Sequence, residues 1–156
     1  LLIAVSTSAS RMFYVGLSAE PGRDAVAAAF AVHAPAARLR WAGIDEDCDG
    51  VIFLDVQCNA SEFPYVLGAT NLAGGDDYEI GLAIARDLSV VLRCRTVCDG
   101  TRHGPGSSPG WCVVWDQGRA FLGDDYGSVF YDDSPELSDS ERAALGPVRI
   151  LHPLEI

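Results

Sequence analysis

Four clusters of side chains in this chain have types and spacings that suggest chemistry. Asp45-Glu46-Asp47-Cys48-Asp49-Gly50-Val51-Ile52 sets acids at loop positions 1, 3 and 5, glycine at 6 and an aliphatic residue at 8, as a calcium loop does. The bidentate glutamate required at position 12 is replaced by Val56, and strand-like sequence flanks the loop, so an acidic hairpin loop with a glycine turn is the simpler reading. Cys94, Cys98, His103 and Cys112 supply the donor types of a zinc site, but zinc knuckles pair cysteines on a tight turn, whereas Cys94, Thr96 and Cys98 share one face of an expected strand as small core residues. Gly106-Ser107-Ser108-Pro109-Gly110 matches G-x-S-x-G, yet a nucleophile elbow needs a strand before it and a helix after it, and this stretch is a proline-bearing loop that leads into Trp111-Cys112-Val113-Val114-Trp115. Gly104, Gly106 and Gly110 lack the G-x-G-x-x-G spacing of a pyrophosphate loop. His33, His103 and His152 have no obvious partner in sequence, so core or surface roles are expected of them.

The fourth cluster is a set of acidic patches: Asp45 to Asp49, Asp76-Asp77 with Glu79, Asp124-Asp125, and Asp132-Asp133 with Glu136. Trp111, Trp115, Tyr126, Phe130 and Tyr131 lie near the last two. Aromatic anchors beside charges that set register and encounter rate suit a protein interface, with a core position for one of the tryptophans as the alternative.

Composition narrows the classes further. The 156 residues carry 22 acids against 11 basic residues, a formal net charge of −11, and every cation is arginine. A chain without lysine has no Schiff-base or P-loop lysine. The charge repels phosphate backbones and anionic lipid, so neither nucleic acid nor membrane is expected as a partner, and it attracts a basic protein. Cys48, Cys58, Cys94, Cys98 and Cys112 form an odd set without a disulfide framework, which fits a reducing cytoplasm. Residues 1–5 are apolar but too short to span a bilayer. The whole chain, 1–156, is expected to fold as one domain.

The elements that would position these groups follow from periodicity. Residues 11–19 read as a strand, and 23–34 as a helix with Val26, Ala29, Phe30 and His33 inward and Pro35 as its stop. Residues 37–42 and 50–58 read as two strands joined by the acidic loop, while 63–69 either extends the second past a bulge or forms another. Residues 76–92 give a helix, with Asp76 and Glu79 as a capping box and Ile80, Ile84, Leu88 and Val91 as its apolar stripe. A strand over 93–98, a loop over 100–110 and a hairpin of 111–116 with 119–122 turning at Gln117-Gly118 follow. Ser138 and Glu141 would cap a short helix ending at Gly146-Pro147, and 148–151 would be an edge strand. The expected fold is α+β: an antiparallel sheet with two main helices on one face, in the split βαβ plan, extended by the C-terminal hairpin and the short helix. Arg38, Arg40, Arg93 and Arg95 would then project from the opposite sheet face or from edge strands.

The run Ala83-Ile84-Ala85-Arg86-Asp87-Leu88-Ser89, then Leu92-Arg93-Cys94-Arg95 and Cys98-Asp99-Gly100, resembles bacterial immunity proteins encoded beside polymorphic or contact-dependent toxins. Downstream, Ser108-Pro109, Trp111, Trp115-Asp116-Gln117-Gly118-Arg119-Ala120-Phe121-Leu122 and Asp124-Asp125 extend the likeness to about a third of the chain. The chain departs from that pattern at His103-Gly104-Pro105-Gly106, where acidic residues are expected. The resemblance implies a cytoplasmic antidote that is not an enzyme, uses no cofactor or metal, and binds a cognate, basic toxin. The partner-binding residues expected on this reading are Asp76, Asp77, Glu79, Asp99, Trp111, Trp115, Asp116, Asp124, Asp125, Tyr126, Tyr131, Asp132 and Asp133. Two alternatives stand beside it: a small enzyme using the Cys/His or Ser108 loop, and a self-associating structural or regulatory domain, for which a homodimer is the simplest form.

Overall fold

A computed structural model describes residues 11–41, 49–108, 110–125, 138, 140 and 147–156. Its elements run β1 (Met12–Leu17), α1 (Arg23–His33), β2 (Arg38–Trp41), β3 (Val51–Cys58), β4 (Tyr65–Asn71), α2 (Asp77–Val91), β5 (Arg95–Asp99), β6 (Trp111–Asp116), β7 (Arg119–Asp124) and β8 (Arg149–Leu154). The eight described strands form one sheet in the order β2-β3-β4-β1-β5-β6-β7-β8.

Both helices cross over intervening strands. β1 and β2 run the same way with β4 and β3 between them, and β4 and β5 run the same way across β1. This is the split βαβ plan made twice, and the α+β architecture holds. One pairing differs from expectation. β2 and β3 are parallel, Arg38 opposite Val51 through Trp41 opposite Leu54, so the two strands do not form the expected hairpin. Two strands joined by only nine residues can be parallel because β2 is just four residues long, which leaves little distance to retrace. Residues 65–71 form a strand of their own, β4. The short helix expected after Ser138 lies mostly outside the described residues.

Strand alternation gives the sheet two dissimilar faces. On one, Phe13, Val15, Leu17, Ile52, Leu54, Leu67, Ala69, Val113 and Trp115 meet Val26 and Phe30 of α1 and Ile84, Ala85 and Leu88 of α2. Full burial of a side chain such as Phe30 contributes about 1.5–3 kcal/mol. In α2 the buried face is Gly81, Leu82, Ile84, Ala85, Leu88 and Ser89; Val91, expected in the stripe, is 65% exposed because it projects to the side of that face, and Leu92 packs against the core in its place. Asp76 caps α2, its carboxylate accepting from the Tyr78 N–H at 3.0 Å.

Two buried hydroxyls within this core are satisfied in ways that tie elements together. The Thr96 hydroxyl donates to Ala85 O at 2.7 Å. The Ser89 hydroxyl donates to Arg86 O and accepts from Gly118 N, fastening the β6–β7 turn to α2. That turn is the expected one: Gln117 and Gly118 both have positive φ, 48° and 86°, as the right-handed twist of a two-residue hairpin demands.

On the other face, the β3–β4 connection folds back over the sheet, and Phe63 seals a second cluster with Val97, Cys112 and Val114. Arg38, Arg40 and Arg95 lie on this face, since their strand neighbours Leu39, Trp41 and Thr96 face the helices. Arg95 reaches Glu62 at 3.4 Å and covers the Phe63 ring. Arg93 occupies the turn after α2, with φ 48°.

Candidate functional site

Because β1, β4, β5, β6 and β7 alternate in direction, the start of β1 and the ends of β4, β5 and β7 share one rim of the sheet. The rim also takes the start of β3 and the N-terminus of α2, which leaves β4 after five residues. Seven described carboxylates meet there: Asp49 before β3, Asp76, Asp77 and Glu79 at the start of α2, Asp99 ending β5, and Asp124 and Asp125 ending β7. Sequence positions spread over 77 residues are thus brought to one edge, and four arginines, Arg11, Arg38 at the start of β2, Arg102 and Arg149, lie along it.

The arginines order the acids without balancing them. Arg102 lies 2.7 Å from Asp76 and 3.9 Å from Glu79, and this contact holds the Asp76 carboxyl below its ordinary range. Arg11 pairs with Asp77 at 3.3 Å and donates to Gly75 O. Arg149 is 3.6 Å from Asp124. Beneath them the fully buried Asn71 amide donates to Gly74 O and to Asp77, and its oxygen accepts from Ala73 N, so the β4–α2 connection is rigidly placed. Exposed pairs of this kind contribute little stability. Their effect is to fix where charge sits.

Tyr78 and His103, which nothing in the sequence pairs, complete the rim. The Tyr78 phenol contacts His103 Nδ1 at 2.5 Å, and the Arg102 guanidinium lies 4.5 Å from the Tyr78 ring centre. His33 also has a partner, Asp87 on α2 at 2.5 Å. Neither partner was obvious in the sequence, since they lie 25 and 54 residues away and no local spacing reveals them. Between β1 and β5, which pair only at Gly16–Val97 and Leu17–Thr96, the strands part toward the rim and leave a cavity of about 80 Å³ beside Asp77, Tyr78 and Asp99.

The expected partner-binding residues divide accordingly. Asp76, Asp77, Glu79, Asp99, Asp124 and Asp125 lie together on the rim, with Trp111 beside them at the start of β6. The Trp111 indole donates to Pro105 O at 2.8 Å and lies against the loop. Asp116 is at the opposite end of its strand, across from Arg95 and Arg119. Trp115 is corrected outright: at 2% exposure it belongs to the core, its Nε1 has no nitrogen or oxygen partner, and it faces the Cys98 thiol. Tyr126, Tyr131, Asp132 and Asp133 lie outside the described residues, as does the acidic loop 45–48.

The remaining chemical candidates do not converge. Cys98 faces the helices and Cys112 the opposite side, and burial raises both thiols, Cys98 to about 12. Among the described residues no group of three His, Cys, Asp or Glu side chains is placed to hold a metal ion. The Ser108 hydroxyl accepts from Gly110 N at 3.3 Å, while the three histidines bond to Asp87, Tyr78 and Pro153.

No family model matches the chain, and neither a curated protein nor a solved structure matches it. No described helix is long and apolar enough to cross a membrane.

Proposed function

We propose that this chain is an immunity protein that neutralises a cognate toxin by binding it through the acidic rim. The observation that carries the reading is the placement of seven carboxylates against four arginines along one edge of the sheet, built from segments distant in sequence. Such an edge draws a basic surface from beyond contact distance and sets its orientation on arrival. The resemblance of residues 83–125 to immunity proteins supplies the kind of partner, a toxin domain, and that stretch includes the β5, β6 and β7 ends of the rim. On this reading the chain acts by occlusion, with no reaction of its own and no cofactor.

The product of the open reading frame neighbouring this gene is the test partner, and on this reading it ends in a toxin domain. Its expression should arrest cells, and co-expression of this chain should restore growth. With the purified pair, Asp76→Asn, Glu79→Gln and Asp99→Asn combined should slow association by about tenfold, and raising salt should do the same to the unaltered chain. Asparagine at 76 keeps the helix cap, so folding is spared. Protection that persists with unchanged, salt-insensitive association would remove the rim from the interface.

A further inference from the structure

The cavity where β1 and β5 part combines apolar walls with unevenly answered charge. β1 and β5 pair only at Gly16–Val97 and Leu17–Thr96, and α2 borders the gap beyond with Asp77, Tyr78, Gly81 and Leu82. The Phe13 ring, Leu82 and the bare backbone of Gly81 are its apolar lining, and Asp77 and Asp99 supply two carboxylates. Asp77 pairs with Arg11 at 3.3 Å and accepts from the Asn71 amide at 2.6 Å. The Asp99 carboxylate accepts the Thr101 N–H at 2.9 Å, and among the described residues no arginine or histidine lies within ion-pair distance of it. Gly81 adds a second observation. Glycine inside a helix destabilises it relative to alanine, yet a Cβ here would stand 3.2 Å from the Phe13 ring, another part of the lining. The missing methyl keeps the cavity open.

We infer that this cavity receives a lysine side chain of the toxin, its ammonium at Asp99 and Asp77 and its methylenes against Phe13, Gly81 and Leu82. The identity of the partner rests on the proposed function. Size selects lysine. At about 80 Å³, with roughly 15 Å³ needed for each water-sized group, the cavity has room for about five, which matches a four-carbon stem and its nitrogen. The planar guanidinium fork of arginine needs more width. A lysine stem covers apolar surface while its head stays among polar groups, and its charge answers the carboxylate that no arginine reaches. The rim draws the basic partner in, and the cavity holds one residue of it.

n-Butylammonium, the end of a lysine side chain, tests the cavity in the free chain. Titration followed by amide resonances should shift Phe13, Gly81, Leu82 and Asp99, with a dissociation constant in the millimolar range for so small a ligand. Asp99→Ser, whose hydroxyl still accepts from Thr101 N, and Gly81→Ala, which adds a methyl to the lining and favours the helix, should each weaken binding about fivefold or more. Equal shifts from sodium chloride at the same ionic strength overturn the inference. So does binding of 1-butanol or n-propylguanidinium as tight as that of n-butylammonium, or binding that survives both substitutions. In the toxin complex, Gly81→Ala should speed dissociation about tenfold and leave association unchanged, since it alters no charge. A salt-sensitive complex whose dissociation Gly81→Ala does not alter sinks this inference alone, whereas the absence of any complex sinks the rim reading on which it rests.

Discussion

The Tyr78 phenol on the first turn of α2 and Nδ1 of His103 in the β5–β6 loop lie 2.5 Å apart, with their rings stacked at 5.6 Å. The Arg102 N–H already donates to the same phenol oxygen at 3.2 Å. The phenol oxygen accepts the Arg102 N–H and shares a second hydrogen bond with Nδ1 of His103. One tyrosine thus holds the loop backbone and its imidazole, and the loop in turn carries Arg102 to Asp76.

Removing that hydroxyl should loosen the loop and leave the sheet intact. Tyr78→Phe is expected to cost about 1–2 kcal/mol by denaturant unfolding, the range for losing hydrogen bonds from a partly buried group. Amide exchange should accelerate over residues 101–104 and remain slow in β5 and β6. A His103→Ala, Tyr78→Phe double cycle should show coupling, because each substitution removes the same bond.

Alkaline pH tests the burial of the same phenol. Burial raises Tyr78 from its ordinary 10.0 to about 12, and raises Cys98 from 9.0 to about 12. A group whose folded pKa lies above its unfolded value stabilises the fold below the unfolded pKa and loses that contribution as pH rises toward the folded one. Stability should therefore decline from about pH 9 to about pH 12. Tyr78→Phe should flatten the part above pH 10, read from urea midpoints across that range.

Thiol chemistry separates the described cysteines in the same way. Cys58 is exposed, whereas Cys98 and Cys112 are buried with raised thiols. Because the thiolate is the reactive form, iodoacetamide at pH 8 should label Cys58 first and leave Cys98 and Cys112 unmodified until the chain unfolds. Mass spectrometry of the digest identifies the sites. Prompt labelling of Cys112 would contradict its place beneath Phe63.

Periodicity made both helices and most strands legible, because apolar spacing reports burial directly: Val26, Ala29 and Phe30 face inward as their spacing requires, and so do Ile84 and Leu88. The parallel β2–β3 pairing was not legible, since neither strand's own alternation encodes the direction of its neighbour. Trp115 was read as an interface residue because composition cannot separate an aromatic on the helix side of β6 from one on its outer side until the sheet register is known. The acidic patches were visible one by one. Their meeting on one rim follows from strand directions, and the Tyr78–His103 and His33–Asp87 pairs depend on how α2 lies over the sheet.

Close approach of backbones at the rim gives the sharpest mutational test. A Cβ built on Gly100 would stand 2.4 Å from the carbonyl carbon of Cys112 and 2.7 Å from its Cα. Those atoms belong to a strand held by β5 on one side and β7 on the other, so they cannot yield as a flexible side chain would. Gly100→Ala should force β5 from β6 where Gly100 N donates to Trp111 O, at a cost of about 3 kcal/mol. Gly22, which precedes α1 with φ −71° and has nothing within 4 Å of an added Cβ, is the matched control. Gly22→Ala should change stability by only about 0.5 kcal/mol. A thermal midpoint for Gly100→Ala equal to that of Gly22→Ala would mean that β5 and β6 do not approach each other this closely at the rim.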